Sequence, residues 1–302
     1  MRLRILISLL ISAASGIFCW YIMRHLRLGL ADFGWAVRGA QAMLDHKNPY
    51  DSPGQLYPLP ALFFGFPFVY LRQEIASGIF FGISSGLMAF ALTRDGFHRL
   101  LVFLAYPYWA ALLAVQWSPL IFASALLPWL LAATMAKPQI GIPVFLTHNS
   151  RRGLWACIAV GLLSLIVMPG WPLAWFRHFG EYERFIPLLV LPGPLLALAA
   201  LRYRDRDARL LFLMAVMPQR WFYDMLILWL IPKSRREILF TVLFSWAPGI
   251  LRWYHMPHSY TEVGRWSVVF IYLPMLGVIM FRSWRERREQ SRTLLRSVGP
   301  QS

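Results

Sequence analysis

The sequence has little charge, and negative charge is the scarcest. Only 15% of its 302 residues are charged and 58% are hydrophobic, whereas a soluble globular domain has about 25% charged residues. No hydrophilic stretch reaches the size of a domain. The composition therefore excludes an ordinary soluble enzyme and predicts one membrane domain over 1–281, followed by a basic tail over 282–302.

Cysteine is also scarce. Cys19 and Cys157 both lie within apolar segments, where we expect small buried hydrophobic residues and neither a disulfide nor a metal pair. The apolar run over 5–21 is longer than the roughly 7–15 residues of the hydrophobic core of a signal peptide. We therefore expect a first transmembrane helix that is retained.

Apolar segments recur along the whole chain at about the length of a membrane crossing, roughly 20 residues. The predicted segments are 3–23, 57–71, 75–92, 100–116, 119–136, 138–147, 154–169, 185–201, 210–231, 237–251 and 266–281. They correspond to about eight to eleven spans, depending on how the short and proline-broken segments are counted. The predicted fold class is all-α, a polytopic transmembrane helical bundle.

The net charge of +16 comes from basic residues between the apolar segments and in the tail. This pattern is typical of cytoplasmic loops that contact anionic lipid, and it disfavours nucleic acid as a partner. It predicts a multi-pass protein of the inner (plasma) membrane with both termini in the cytoplasm. The loop over 94–99 fits this orientation less well, because a simple count of spans puts it outside.

The polar interval after the first span contains three of the fourteen carboxylates, Asp32, Asp45 and Asp51. Apolar residues repeat at helical spacing over 33–46, which predicts a short amphipathic helix in the membrane interface. Asp32 is placed either to cap this helix or to take part in chemistry. Asp45 and Asp51 are expected in structural roles, at the helix end and in a turn over 51–54.

Several motifs in this order resemble one family of enzymes. They are Asp32 after the first span, Asn48-Pro49-Tyr50 after the amphipathic helix, Tyr57-Pro58-Leu59-Pro60, Gln116-Trp117-Ser118-Pro119, Lys137-Pro138-Gln139 and Met217-Pro218-Gln219-Arg220-Trp221-Phe222-Tyr223-Asp224. The pattern, which has Met217 where that family has Ser, resembles the GT-C glycosyltransferases. It is most similar to glycosyltransferase family 87, the bacterial membrane mannosyltransferases.

The resemblance implies a hexosyltransferase with a GT-C fold and an active site on the extracytoplasmic face. Such an enzyme transfers a sugar, commonly mannose, from a polyprenyl-phosphate donor to a lipid or glycan acceptor, with inversion. Asp32 would be the general base, and no metal or other cofactor is expected. Lys137, Arg220 and Arg38 would bind the donor phosphate. The substrate-binding residues would be Gln116, Gln139, Tyr57, Trp221 and Tyr223.

Several of these residues also have a purely structural interpretation. Lys137 is placed to snorkel from a helix end, Gln116 and Gln139 to cap helices, and Arg220 and Asp224 to form an i,i+4 ion pair. A second polar loop, over 170–184, contains His178, Glu181 and Glu183. We interpret that loop as an aromatic belt, with acceptor binding as the alternative.

Two other functions fit the composition, a flippase or small-solute transporter and an inactive accessory subunit. In an enzyme, Asp32, Lys137 and Arg220 must converge on one cavity at the outer interface, whereas a transporter needs polar residues along a path near the midplane. His255 and His258, with only Glu262 nearby, are too sparse to predict a zinc site.

Overall fold

A computed structural model describes residues 1–51, 55–181 and 184–297, and helices dominate these residues. They contain no β-strand, only an isolated antiparallel bridge between Phe185 and Gln219. The all-α prediction is confirmed. Residues 52–54 of the predicted turn, Glu183 of the second polar loop and 298–302 of the basic tail lie outside the described residues.

The α-helices are α1 (Arg2–His25), α2 (Gly34–Leu44), α3 (Leu59–Phe63), α4 (Gln73–Leu92), α5 (Tyr106–Leu113), α6 (Ser118–Leu126), α7 (Pro138–His148), α8 (Arg151–Val167), α9 (Trp171–Arg177), α10 (Arg206–Val216), α11 (Arg235–Tyr254), α12 (Tyr260–Ser267) and α13 (Leu273–Ser297). The longer 3₁₀ segments are Phe97–Leu104, Pro128–Ala136, Gly193–Arg202 and Phe222–Leu230. The π-helical segment Val268–Tyr272 joins α12 to α13.

Three helices among the described residues are long and apolar enough to cross a membrane: α1, α4 and the continuous helix Tyr260–Glu289. The count becomes four if α8 and α9, which meet at an angle of 88°, form one broken span. These helices support a membrane protein. The first predicted span, over 3–23, matches α1.

Proline divides other predicted spans into shorter helices. The segment over 119–136 is split between α6 and the 3₁₀ segment that begins at Pro128. The segment over 210–231 is split at Pro218 into α10 and Phe222–Leu230. Proline lacks an N–H and clashes with the preceding turn, so a helix tends to restart where proline can occupy its first turn.

Small residues bring α1 and α4 into close antiparallel contact. The Ser12 hydroxyl on α1 donates to the carbonyl of Gly82 on α4 at 2.9 Å. A Cβ added at Gly82 would lie 2.8 Å from the Ser12 carbonyl oxygen, and one at Gly78 would lie 2.8 Å from that of Gly16. Glycine is therefore required here, because a side chain would meet backbone that cannot move aside.

One end of the molecule gathers basic residues from distant segments, and we call it the basic end. Arg4 donates to the carbonyl of Phe90 and the hydroxyl of Thr93, at 2.9 and 3.3 Å. Just beyond, Arg99 donates to the carbonyls of Pro232 and Trp229. These contacts place the loop over 94–99 beside the N-terminus and beside the loop that follows Phe222–Leu230.

One ion-pair network completes the basic end. Asp207 pairs with Lys233 at 3.2 Å and with Arg282 at 2.8 Å. Arg282 also pairs with Glu237 at 2.9 Å. The start of the basic tail, the start of α10 and the start of α11 therefore share this end with the N-terminus.

The position of the loop over 94–99 follows from the short apolar segment that precedes α4. Leu59–Phe68 is an apolar helical segment that rises only about 15–20 Å, whereas the hydrocarbon core is about 30 Å thick. Gly65 packs against the backbone of Ala36, and the Ser77 hydroxyl donates to the Gly29 carbonyl at 3.1 Å. The chain thus returns to the end of α1 before α4 begins. The span count that puts this loop opposite the N-terminus is wrong.

We predict that Gly82→Ala lowers the thermal stability of the purified protein, by about 1–3 kcal/mol, because the added methyl group overpacks the contact between α1 and α4. Gly277→Ala is the matched control, since a Cβ there meets nothing within 4 Å. Alanine favours a helix over glycine by about 1 kcal/mol, so the control should be neutral or stabilising. Equal melting temperatures for the two variants would contradict the close contact.

Candidate functional site

The polar interval after the first span, called the opening loop below, lies at the end opposite the basic end and forms a platform there. Its helix, predicted over 33–46, is α2 at Gly34–Leu44, preceded by one 3₁₀ turn at Ala31–Phe33. Ala36, Val37 and Ala40 are buried on its inner face. The backbone N–H of Asp32 donates to the carbonyl of Ala114 at 3.1 Å, which fixes the start of the platform to the end of α5.

The Asp32 carboxylate does not cap this helix. Helix α2 begins without a side-chain cap, so the structural interpretation of Asp32 as a cap is wrong. Instead, Oδ2 of Asp32 accepts hydrogen bonds from the Tyr57 hydroxyl, at 3.1 Å, and from Nε2 of Gln116. No described residue donates to Oδ1. One carboxylate oxygen is therefore held by the protein, and the other remains able to accept a proton.

The other two acids of the loop have local partners. Nε2 of Gln41 donates to Asp45, and Nδ2 of Asn48 donates to Asp51, both at 2.8 Å. Both carboxylates lie at the surface. The expected structural roles of Asp45 and Asp51 agree with these contacts.

Lys137 is buried behind Asp32 and does not snorkel. Its side chain is only 3% exposed, so the snorkelling interpretation is wrong. The ammonium donates to Oε1 of Gln116 at 2.6 Å, pairs with Oδ1 of Asp224 at 2.7 Å, and lies 4.6 Å from the ring centre of Tyr223. Lysine has three N–H donors, and the protein uses two of them among the described residues.

Asp224 is paired with Lys137, not with the side chain of Arg220. From Arg220 it accepts only the backbone N–H, at 3.4 Å. The proposed i,i+4 ion pair between Arg220 and Asp224 is therefore wrong, because Phe222–Leu230 is wound as a 3₁₀ helix and Arg220 precedes it. The fully buried Asp224 neutralises the buried ammonium of Lys137.

The Arg220 guanidinium lies in the wall of the cavity, where it donates to the Tyr260 hydroxyl at 3.5 Å. Burial opposes its charged form, but Tyr223, Tyr260 and Asp32 outweigh this effect and raise the pKa of the guanidinium. Arg220 therefore brings a permanent positive charge into the electrostatic environment of Asp32.

These residues surround a cavity of about 280 Å³ at the end opposite the basic end. Of the predicted site residues, Asp32, Tyr57, Lys137, Gln139 and Arg220 line it. The polar lining combines one carboxylate with two cations, and its walls are largely apolar. Such an arrangement suits a ligand with a phosphate, hydroxyl groups and a hydrocarbon part.

The other predicted site residues do not line this cavity. Gln116 and Tyr223 are buried directly behind it. Trp221 contacts Tyr260, with ring centres 5.6 Å apart, and stacks under Arg252.

Arg38 is exposed on α2 and lies 4.6 Å from the ring centre of Trp35, which lines the cavity. Partial burial lowers the pKa of Arg38, and the nearby Asp32 carboxylate opposes that shift. Arg38 is therefore at the rim of the cavity and electrostatically close to Asp32.

The second polar loop forms part of the cavity wall, which the aromatic-belt interpretation did not predict. Trp175, Phe176 and His178 line it. Nε1 of Trp175 donates to the carbonyl of Leu56 at 2.9 Å, and Nε2 of His178 lies 3.0 Å from the carbonyl oxygen of Tyr50. The signal in the sequence was a pair of tryptophans and a histidine in one short polar interval between spans.

The described residues contain no group of three or more His, Cys, Asp and Glu side chains that could hold a metal ion. His255 pairs with Glu262 at 3.1 Å. Independence from metal and other cofactors remains a prediction.

No protein-family model, curated protein or solved structure matches this chain. The resemblance to the GT-C glycosyltransferases therefore depends on the motifs themselves and remains a prediction.

We predict that Trp175→Phe loosens the loop over the cavity, because it removes the indole N–H that binds the Leu56 carbonyl, a loss of about 1 kcal/mol. Limited proteolysis should then cleave faster between Met168 and Glu181. Trp129→Phe is the matched control, since Trp129 is 62% exposed. Unchanged cleavage in Trp175→Phe would show that this hydrogen bond does not hold the loop.

Proposed function

We propose that this chain is a GT-C glycosyltransferase that transfers a sugar, with mannose the expected one, from a polyprenyl-phosphate donor to a hydroxyl of a lipid or glycan acceptor. The observation that carries the proposal is the convergence of Asp32, Lys137 and Arg220 on one cavity. These residues are far apart in sequence, and an enzyme of this class needs a base and cations at the same point. A transporter needs polar groups along a path near the midplane, whereas these lie together at one end.

Asp32 is the proposed general base. A sugar or lipid hydroxyl is far too weak an acid to ionise near neutral pH, so it needs a positioned base in the transition state. Oδ1 of Asp32 takes the hydroxyl proton while the hydroxyl oxygen forms a bond to the anomeric carbon. The bond from that carbon to the phosphate oxygen breaks on the opposite face, and its electron pair leaves with polyprenyl phosphate. The configuration at the anomeric carbon inverts.

The leaving phosphate gains negative charge, which fixed cations stabilise. Arg220 is the proposed main contact, because its guanidinium lies in the cavity wall. Lys137 contributes its third N–H, and Arg38 contributes charge from the rim. Gln139 and Tyr57 are proposed to contact the sugar from the cavity wall, whereas Gln116, Tyr223 and Trp221 support that wall from behind or beside it.

The apolar wall supplies a route for the lipid chain of the donor. Ile142 on α7 and Phe176 on α9 both line the cavity, and they are 44% and 59% exposed. An apolar group that lines a cavity and also faces the membrane lets a hydrocarbon chain pass sideways into lipid. This arrangement supports a lipid-linked donor over a soluble nucleotide sugar.

The proposed orientation puts the basic end in the cytoplasm and the cavity at the extracytoplasmic face of the inner membrane. The positive-inside rule supports it, since the N-terminus, the loop over 94–99 and the start of the basic tail share the basic end. Anionic lipid is the expected partner of this end. The full GT-C bundle of about eight to eleven spans belongs to this proposal.

We predict that Asp32→Asn lowers the rate of sugar transfer by about 10²–10⁴-fold, because the amide cannot accept the hydroxyl proton. The assay is incubation of purified protein with polyprenyl-phosphate-mannose, followed by mass spectrometry of co-purifying lipid and added glycan acceptors. Asp45→Asn is the matched control, an exposed acid of the same loop, and should leave the rate unchanged. Normal turnover in Asp32→Asn would refute the assignment of the base.

We predict that the two ends face opposite sides of the membrane. In a variant without Cys19 and Cys157, an impermeant maleimide should label Lys47→Cys in intact cells but Arg94→Cys only after permeabilisation. Both positions are exposed, so accessibility reports the side of the membrane. Labelling of Arg94→Cys in intact cells would contradict the proposed orientation.

A further inference from the structure

A second carboxylate, Asp224, lies beneath the cavity and has no role in the chemistry proposed above. It does not line the cavity, and its side chain is completely buried. Its ion-pair partner is Lys137, at 2.7 Å. A buried carboxylate so close to a reaction site needs an explanation, because burying an ion pair is costly unless its geometry is well satisfied.

The contacts of Asp224 form the far end of a chain that reaches Asp32. Asp224 pairs with Lys137, the ammonium of Lys137 donates to Oε1 of Gln116 at 2.6 Å, and Nε2 of Gln116 donates to Oδ2 of Asp32. Each of the three links joins residues that are distant in sequence. The chain is therefore a product of tertiary structure and not of local geometry.

Gln116 is the link whose orientation matters most. A carboxamide has an acceptor on one side and two donors on the other, and it can rotate to exchange them. The ammonium of Lys137 attracts the carbonyl oxygen, so the NH₂ group must face Asp32. With the cation removed, the amide oxygen loses its partner, so Gln116 is held only at its NH₂ end and its hydrogen bond to Oδ2 of Asp32 weakens.

Asp224 in turn fixes the cation. An unpaired charge is costly to bury, so the ammonium stays in this position only beside a counter-ion. The 2.7 Å pair holds the ammonium next to Gln116. Asp224 therefore controls the orientation of Gln116 through Lys137.

We propose that Asp224 is a positioning residue, which acts through Lys137 and Gln116 to hold Oδ2 of Asp32 and so to present Oδ1 to the cavity. The inference rests on the proposed function only where it calls Asp32 the base. The positioning itself is a property of the protein without substrate, and it can be measured without any transfer reaction.

The test is the rate at which a water-soluble carbodiimide and an amine label Asp32, followed by mass spectrometry of the peptide. A carboxylate held in one orientation by hydrogen bonds to one oxygen reacts slowly, and a released carboxylate, which can turn either oxygen to the reagent, reacts faster. We expect Asp224→Asn to label Asp32 about fivefold faster than the wild-type protein, the factor that corresponds to the loss of one hydrogen bond. A labelling rate equal to that of the wild-type protein would overturn the proposal.

Asp207→Asn is the matched control. Asp207 is also buried and paired with basic side chains, at 2.8 and 3.2 Å, but it lies at the basic end. This variant should lose thermal stability and keep the wild-type labelling rate at Asp32. If it accelerates labelling as much as Asp224→Asn does, general loosening explains the effect and the positioning role is refuted.

A double variant, Lys137→Met with Asp224→Leu, separates positioning from stability. An apolar pair of similar volume can replace a buried ion pair without loss of stability, so its melting temperature should be close to that of the wild-type protein. Gln116 then has no cation to orient it, and labelling of Asp32 should stay fast. Recovery of the wild-type labelling rate together with stability would mean that the ion pair is only structural, which overturns the proposal.

Activity adds a separate readout. If the proposed function is correct, Asp224→Asn should lower kcat, because the base is disturbed, and should also raise the KM for the donor, because Lys137 of the phosphate site loses its counter-ion. An absence of transfer by the wild-type protein would refute the proposed function. The labelling rates would still decide whether Asp224 positions Asp32.

Discussion

The cavity depends on the buried ion pair between Lys137 and Asp224. Two opposite charges in an apolar helical protein stay inside only when they neutralise each other, and removing one partner of such a pair typically costs about 3–5 kcal/mol. Here the pair is also linked to Asp32. The ammonium donates to Gln116, and Gln116 donates to Asp32. The same interaction thus joins the 3₁₀ segment that begins at Phe222, the start of α7 and the opening loop.

The basic end and the cavity lie at opposite ends of the protein. Basic side chains from the N-terminus, the loop over 94–99 and the start of the tail gather at one end. The charged residues of the cavity gather at the other. A short apolar segment, Leu59–Phe68, explains this arrangement. It folds back against α2, so α4 begins at the cavity end and the loop over 94–99 that follows α4 lies at the basic end. The ion pairs of the basic end and the charged residues of the cavity therefore lie at opposite ends of the protein.

Several features of the site could be predicted from the sequence. The periodicity over 33–46 predicted α2, and the scarcity of acid drew attention to Asp32. The burial of Lys137 and its choice of partner could not be predicted, since the i,i+4 spacing of Arg220 and Asp224 suggested a local pair. The 3₁₀ winding of Phe222–Leu230 removes that pairing. The loop with Trp175 and His178 was interpreted as an aromatic belt, with acceptor binding as the alternative, because its neighbours depended on how the segments before it fold.

The sequence by itself determined an all-helical protein with apolar helices long enough to cross a membrane, a short amphipathic helix after the first of them and basic loops, because hydropathy and periodicity are local properties of the chain. Only the tertiary structure decided which polar groups meet. Asp32, Gln116, Lys137 and Asp224 are brought together by packing between distant segments, and spacing along the chain carries no information about such contacts. A buried charge is costly without a partner, and the fold selects which partner it meets.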